Sequence, residues 1–201
     1  MNFFDIPLEL SAQHRQDLLE FETKYSSYYY QHDYTTGEYF GLNLLLESSN
    51  IPKDSNGIQT IAFKGIRKVN PEGTFGTPDS IKKIIEMFLY QPVRWSFAKI
   101  NKRVHLPTHI DGDDNRSRNT IIVFPLQPYD DRYAPCDIMR FPNSKKPIQR
   151  ITFRPCYAFS TECWHRVKNN KYCRKSLQLW YGDHIETLYE KFQQGQLLKK
   201  D

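Results

Sequence analysis

The stretch Leu106-Pro107-Thr108-His109-Ile110-Asp111-Gly112 decides how the rest of the chain is read. His109 and Asp111 are two residues apart, so on an extended strand both side chains point to the same side. An imidazole and a carboxylate then converge on one point. Alone, the pair also fits a His–Asp hydrogen bond at a strand end. It is not alone: Phe159-Ser160-Thr161-Glu162-Cys163-Trp164-His165-Arg166-Val167 supplies a second imidazole, 54 residues beyond Asp111. Several short strand-like runs lie between, enough for a doubled-over sandwich to return the chain alongside the first strand.

Two imidazoles and one carboxylate suit non-haem Fe(II), because they occupy one face of the octahedron and leave positions open for other ligands. Arg174-Lys175-Ser176-Leu177 begins nine residues past His165. On a strand, Arg174 and Ser176 would face the same way. The guanidinium fork matches a carboxylate bidentately, and the serine hydroxyl adds a donor, so the pair can hold one end of a dicarboxylic acid.

The succession H-x-D, a distant H, then R-x-S resembles the 2-oxoglutarate/Fe(II)-dependent oxygenase superfamily. It is loosely similar to the aspartyl/asparaginyl and prolyl hydroxylase-like branches. The likeness covers residues 93–181, and Trp164 to Asn169 resemble the segment around the distal iron ligand. It implies a double-stranded β-helix (jelly-roll, cupin-like) core, with His109, Asp111 and His165 as iron ligands. It also implies Arg174 and Ser176 on the C5 carboxylate of 2-oxoglutarate, and O2 as the oxidant. In the aspartyl/asparaginyl hydroxylase branch an arginine follows the first histidine at about this distance, which implies Arg118, with Arg116 as competitor, near the C1 carboxylate. That branch typically lacks a carboxylate ligand where this chain carries Asp111, so its substrate is not carried over. Halogenating relatives also lack that carboxylate, and hydroxylation is the expected outcome here. The expected substrate is an amino-acid side chain, free or in a polypeptide, with a small metabolite or a nucleobase as alternatives. The rival from another class is a cupin-like metal- or ligand-binding protein without turnover.

Outside this core, strand-like runs at 95–100, 120–124, 137–141, 148–153, 157–160, 165–167 and 176–181 are split by turns, the spacing of a sandwich or barrel. Helices are expected at 11–24, where Leu18, Leu19, Phe21 and Tyr25 give an apolar side, and at about 185–198. A third should start with Thr77 as N-cap and Pro78 at the first helical position. Its apolar positions Ile81, Ile84, Ile85, Phe88 and Leu89 run on to Gln91-Pro92. Residues 39–46 read as a strand or a short helix, and Asn56-Gly57 as a tight turn before a strand at 58–66. The expectation is mainly β with flanking helices covering one sheet. One oxygenase domain would span 1–201: N-terminal support at 1–92, the metal-binding core at 93–182 and a C-terminal helix at 183–201.

Composition narrows the class. At 201 residues the chain can bury one substantial core, and 14% aromatic content lets rings line a pocket. A net charge of +5 attracts anions of any kind. Nucleic acid stays open as a partner but gains no support, because no basic-aromatic stripe marks a strand path. The N-terminus MNFFDIPLEL lacks a basic region, and no apolar run reaches bilayer length, so no secretory signal or membrane span is expected. Cys136, Cys156, Cys163 and Cys173 form no C-x-x-C pair. Free thiols in a cytoplasmic protein are therefore expected, and the three that bracket His165 lack zinc-ribbon spacing. His105 reads as a neighbour of the site or as surface. Tyr28, Tyr29, Tyr30 and Tyr34 line an entrance or pack on the core. Lys145, Lys146, Arg150 and Arg154 read as a solvated strand edge.

Overall fold

A computed structural model describes residues 1–26, 30–31, 42–46, 78–103, 106–111, 119–167 and 171–199. Expectations that fall on Tyr28, Tyr29, Tyr34, Thr77, His105, Arg116, Arg118 and residues 56–66 lie outside these, as does the Tyr30 side chain.

Strands β1 (Phe3–Asp5), β2 (Tyr30–Gln31) and β3 (Leu42–Leu46) precede a continuous β core. The core comprises β4 (Arg94–Ile100), β5 (Leu106–His109), β6 (Thr120–Gln127), β7 (Cys136–Ile138), β8 (Gln149–Ile151), β9 (Tyr157–Ser160), β10 (His165–Val167) and β11 (Arg174–Tyr181). One antiparallel sheet has the order β1-β9-β6-β11-β4-β3-β2, and the other β5-β10-β7-β8. Along the chain the core strands switch from one sheet to the other, with only β7 and β8 joined as a hairpin in the same sheet. This is the double-stranded β-helix expected from the sequence.

Period-two alternation on β11 assigns each face of the large sheet. Leu177, Leu179 and Tyr181 point outward to a core shared with Leu18, Ile81 and Leu188 of the helices. Trp180 joins the second core, between the sheets, with Val123, Tyr157, Phe159 and Val167. Helices α1 (Ala12–Lys24), α2 (Asp79–Ile85) and α3 (Ile185–Gln193) thus cover one sheet and leave the inter-sheet space to the site. Ser11 caps α1 by accepting from the His14 N–H at 3.1 Å. Glu22 of α1 is buried and accepts from Lys175 Nζ at 2.6 Å, which ties the helix to the outer face of β11.

Both later helices end before their periodicity does. α3 stops at Gln193 rather than near Leu198, because Gly195 takes φ 69°. The Gly195 N–H bonds Phe192 O at 3.0 Å and the Gln196 N–H bonds Lys191 O at 2.8 Å, the two bonds of a Schellman stop. The turn sends the following residues back across the end of α2. Phe88 bridges Leu198, Leu89 N–H bonds Leu197 O at 2.9 Å, and Lys199 N–H bonds Met87 O at 2.9 Å. Those pairings replace the last turn expected of α2, which ends at Ile85, and leave Leu89 exposed. Pro78 stands at the N-cap of α2, one place earlier than expected.

Candidate metal centre

His109 and His165 are direct cross-strand partners in the antiparallel pairing of β5 with β10. Side chains of such a pair stand on the same face, and the two rings sit with centroids 4.2 Å apart. Asp111 reaches them by a different route from the one expected. β5 ends at His109, and the Asp111 N–H bonds Thr161 O at 3.1 Å, just before β10. Asp111 therefore lies past the strand, anchored to the opposing turn, and its carboxylate still meets both rings. Its Oδ1 lies 3.1 Å from His109 Nε2 and its Oδ2 3.3 Å from His165 Nε2. Ligand atoms from all three residues lie within 4.8 Å of one another.

Hydrogen bonding fixes which nitrogen faces the carboxylate. Nδ1 of His109 lies 2.7 Å from Pro107 O, and Nδ1 of His165 lies 2.9 Å from Cys163 O. A carbonyl only accepts, so each Nδ1 carries a proton and each ring turns Nε2 toward Asp111. Both Nε2 atoms then face carboxylate oxygens, an arrangement that needs a cation between them, whether proton or metal. The titration behaviour has the same cause. Burial opposes charge on His109, but the Asp111 carboxylate beside it outweighs burial and raises its pKa. Burial likewise opposes ionisation of Asp111, and the two imidazoles overcome it, holding the carboxyl well below its usual range. Phe159 closes one side, its ring edge-on to His165 at 5.2 Å.

Arg174 and Ser176 lie on one face of β11, as expected, with relative exposures of 6% and 1%. The guanidinium stands over the Tyr133 ring, 4.4 Å from its centroid, and donates to Tyr157 Oη at 3.3 Å. It makes no ion pair among the described residues. Arg174 Nε is buried without a hydrogen-bond partner, and Ser176 Oγ and Tyr133 Oη are buried beside it with partners only among this same group. Tyr133 and Tyr157 went unnoticed in the sequence, where 13 tyrosines at no fixed spacing give no reason to single them out. Burial raises the pKa of both hydroxyls despite the pull of Arg174, so they stay protonated as donors.

The strand that carries His165 is braced from behind. Arg166 points away from the site and is paired in register with Asp137, which is paired in turn with Arg150. Asp137 is 2% exposed and accepts from Arg150 Nε at 2.6 Å and Arg166 Nε at 3.4 Å. Arg166 also donates to Ser144 O at 3.4 Å and Lys145 O at 3.2 Å. Arg154, beyond β8, pairs with Asp5 of β1 at 3.1 Å, so the basic stretch is partly ion-paired. Asp137→Ala strands the buried Arg166 cation, and removing one partner of a buried pair typically costs about 3–5 kcal/mol. The expected result is a lowered thermal midpoint together with weaker Co(II) binding. Unchanged melting would show that the brace is dispensable.

Cys136 and Cys156 are buried, Cys163 and Cys173 half-buried, and all four are free thiols. Burial pushes the Cys136 thiol up to about 12. Among the described residues, the His109, Asp111 and His165 group is the cluster able to hold a metal, and no helix is long and apolar enough to cross a membrane.

No family model and no curated protein matches the chain. Solved structures do. A prolyl hydroxylase of Trichoplax adhaerens, in complex with a hypoxia inducible factor oxygen degradation domain peptide fragment, matches 90% of this chain and 83% of its own, with TM-score 0.54 and 14% identity. A Pseudomonas putida prolyl-4-hydroxylase matches with TM-score 0.49 and 16% identity, covering 90% of this chain and 91% of its own. The viral collagen prolyl hydroxylase of Paramecium Bursaria Chlorella virus-1, as its 2OG complex, gives 0.49 and 14%, covering 90% and 94%. At these identities the likeness speaks to architecture: this chain has the jelly-roll fold seen in the Trichoplax prolyl hydroxylase.

Proposed function

We propose that the chain is an Fe(II)- and 2-oxoglutarate-dependent oxygenase that hydroxylates a C–H bond of an amino-acid side chain, free or in a polypeptide. The observation that carries this reading is the buried Arg174, with no counter-ion among the described residues. A buried guanidinium without an anion is costly, and so are orphaned buried donors. Arg174 Nε is such an atom, with Ser176 Oγ and Tyr133 Oη buried beside it, in the inter-sheet space that also holds the metal trio. A carboxylate would satisfy all three. The donor set of the trio fits Fe(II) equally well: two neutral imidazoles and one carboxylate leave half of an octahedron open.

In this reading His109 Nε2, His165 Nε2 and an Asp111 oxygen hold the iron, while Arg174, Ser176 and Tyr133 hold the distal carboxylate of 2-oxoglutarate. Bound together, iron and 2-oxoglutarate would supply O2 activation, with succinate and CO2 released as the C–H bond is hydroxylated. The carbonyls of Pro107 and Cys163 fix the ring orientations of the two histidines, and Phe159 limits water beside His165. A peptidyl substrate accords with the peptide bound to the Trichoplax protein. Free thiols accord with a reducing, cytoplasmic setting, and we take residues 1–201 to act as one oxygenase domain.

The test is the visible spectrum of metal-free protein under anaerobic conditions, on adding Fe(II) and then 2-oxoglutarate. A broad charge-transfer band that needs both additions is the expected result. Bound iron with no band would turn the reading to a cupin-like binding protein.

A further inference from the structure

β11 carries more on its inner face than the anchor. Gln178 and Trp180 continue the row of Arg174 and Ser176, and on this central strand Gln178 is half-buried while Leu177 and Leu179 beside it are fully buried. A glutamine left partly accessible in the middle of a sheet borders the space between the layers. Its amide is oriented by a one-way chain of donors. The Trp180 indole N–H can only donate, and it does so to Ser96 Oγ at 2.8 Å. Ser96 is completely buried, and its own hydroxyl hydrogen finds Gln178 Oε1 at 3.3 Å. Reversing the amide would leave that hydrogen buried without an acceptor, so Oε1 is committed inward and both Nε2 hydrogens turn outward.

Register shows where outward is. Gln178 lies in the cross-strand row of Val123 and Tyr157, and Trp180 in the row of Ile121 and Phe159. Tyr157 bonds the Arg174 anchor, and Phe159 packs on His165. The two rows therefore span the interval between the carboxylate pocket and the metal trio, from the side opposite β9.

We propose that Gln178 orients the primary substrate, donating from Nε2–H to a neutral carbonyl oxygen, of amide type, next to the C–H group presented to the metal trio. The oxygen is neutral because the donor carries no charge and its row neighbours Val123, Ile121 and Trp180 are apolar or aromatic. A carboxylate there would lose its hydration with no cation in return among the described side chains of these rows. The inference rests on the oxygenase reading and deepens it to a substrate class: amides, as in peptides or acylated amino acids, rather than free acids.

The test uses the full chain loaded anaerobically with Fe(II) and 2-oxoglutarate, with a series of N-acetyl amino-acid N-methylamides as probes. Each probe is read by its perturbation of the visible charge-transfer band, so no turnover is needed. At least one probe should perturb the wild-type band, and the matching free N-acetyl acid should not. Gln178→Glu keeps an acceptor for Ser96 and nearly the same shape but loses the donor; Gln178→Met removes both. Each should bind that probe at least about tenfold more weakly, the worth of one such hydrogen bond. Retention of the band itself reports that these variants fold and still take up iron and 2-oxoglutarate. Equal probe affinity in wild type and both variants would overturn the role of Gln178. Silence of the whole amide series on the wild-type band would overturn the substrate class. Absence of the band from wild type would instead bring down the oxygenase reading on which both rest.

Discussion

Asp111→Ala is expected to yield a folded chain that no longer retains iron, with loss of the Fe(II)/2-oxoglutarate band and of substrate-dependent succinate release. The carboxylate reaches Nε2 of both imidazoles, at 3.1 Å and 3.3 Å. Without it two imidazoles remain, and a two-nitrogen site binds Fe(II) too weakly to resist dialysis. The fold should survive, because Asp111 lies beyond the end of β5 and its N–H to Thr161 O bond belongs to the backbone. The variant also changes the pH response, with a definite sign. In the parent protein the raised pKa of His109 means that protons compete with metal from a higher pH than at a free imidazole, so affinity falls as pH is lowered through that raised value. Removing Asp111 removes the charge that raised it, and burial then lowers the His109 pKa. Co(II) titrations at several pH values check both statements. Asp111→Ala protein that still holds one equivalent of iron after dialysis would remove Asp111 from the ligand set.

Asp111 also shows how far the sequence reaches. The convergence of the H-x-D pair with distant His165 was legible because a few residue types stand at positions that a strand geometry brings together. The pairing of β5 with β10 supplied that geometry, although Asp111 sits past the strand and not on it. Arg174 and Ser176 were legible for the same reason, as an i, i+2 pair on β11. Tyr133 and Tyr157 were not. One comes from the loop after β6 and one from β9, and both reach Arg174 only through the long-range pairing of β9, β6 and β11 in one sheet. Nothing local distinguishes them from tyrosines that merely pack. The two helix ends failed for a different reason. Apolar periodicity continued through Phe88 and Leu198, while hydrogen bonding diverted both into a bridge with one another. Gly195 was the available signal, since a glycine after a helical run marks a left-handed stop. The Asp137 brace and the Gln178 relay are cross-strand effects of register, and register follows from the whole sheet.

Arg174→Ala separates the proposed carboxylate anchor from the candidate metal centre more sharply than any other substitution. Iron binding should be nearly unaffected, because the guanidinium contacts Tyr133 and Tyr157 and none of the trio. Affinity for 2-oxoglutarate should fall by about a hundredfold or more, since a charge-assisted bidentate pair is lost from a buried site at roughly 2–5 kcal/mol. Stability of the ligand-free protein should move the other way. In the absence of a carboxylate, Arg174 is a buried cation with an orphaned Nε and no ion pair among the described residues. Burial disfavours its charge, and the nearby Tyr133, Tyr157 and Cys136 raise its pKa nevertheless, so the cation persists. Replacing a buried charge that has no counter-ion with a volume-matched apolar side chain should be neutral or stabilising, which favours Arg174→Met for this measurement. In wild type, 2-oxoglutarate should raise the thermal midpoint as its concentration passes the dissociation constant, and in the variant that rise should vanish over the same range. The two curves therefore cross: the variant melts at or above wild type without cosubstrate, and below it with cosubstrate at saturation. Parallel curves, with equal cosubstrate stabilisation in both proteins, would show that the carboxylate binds elsewhere and that Arg174 is buried for some other purpose.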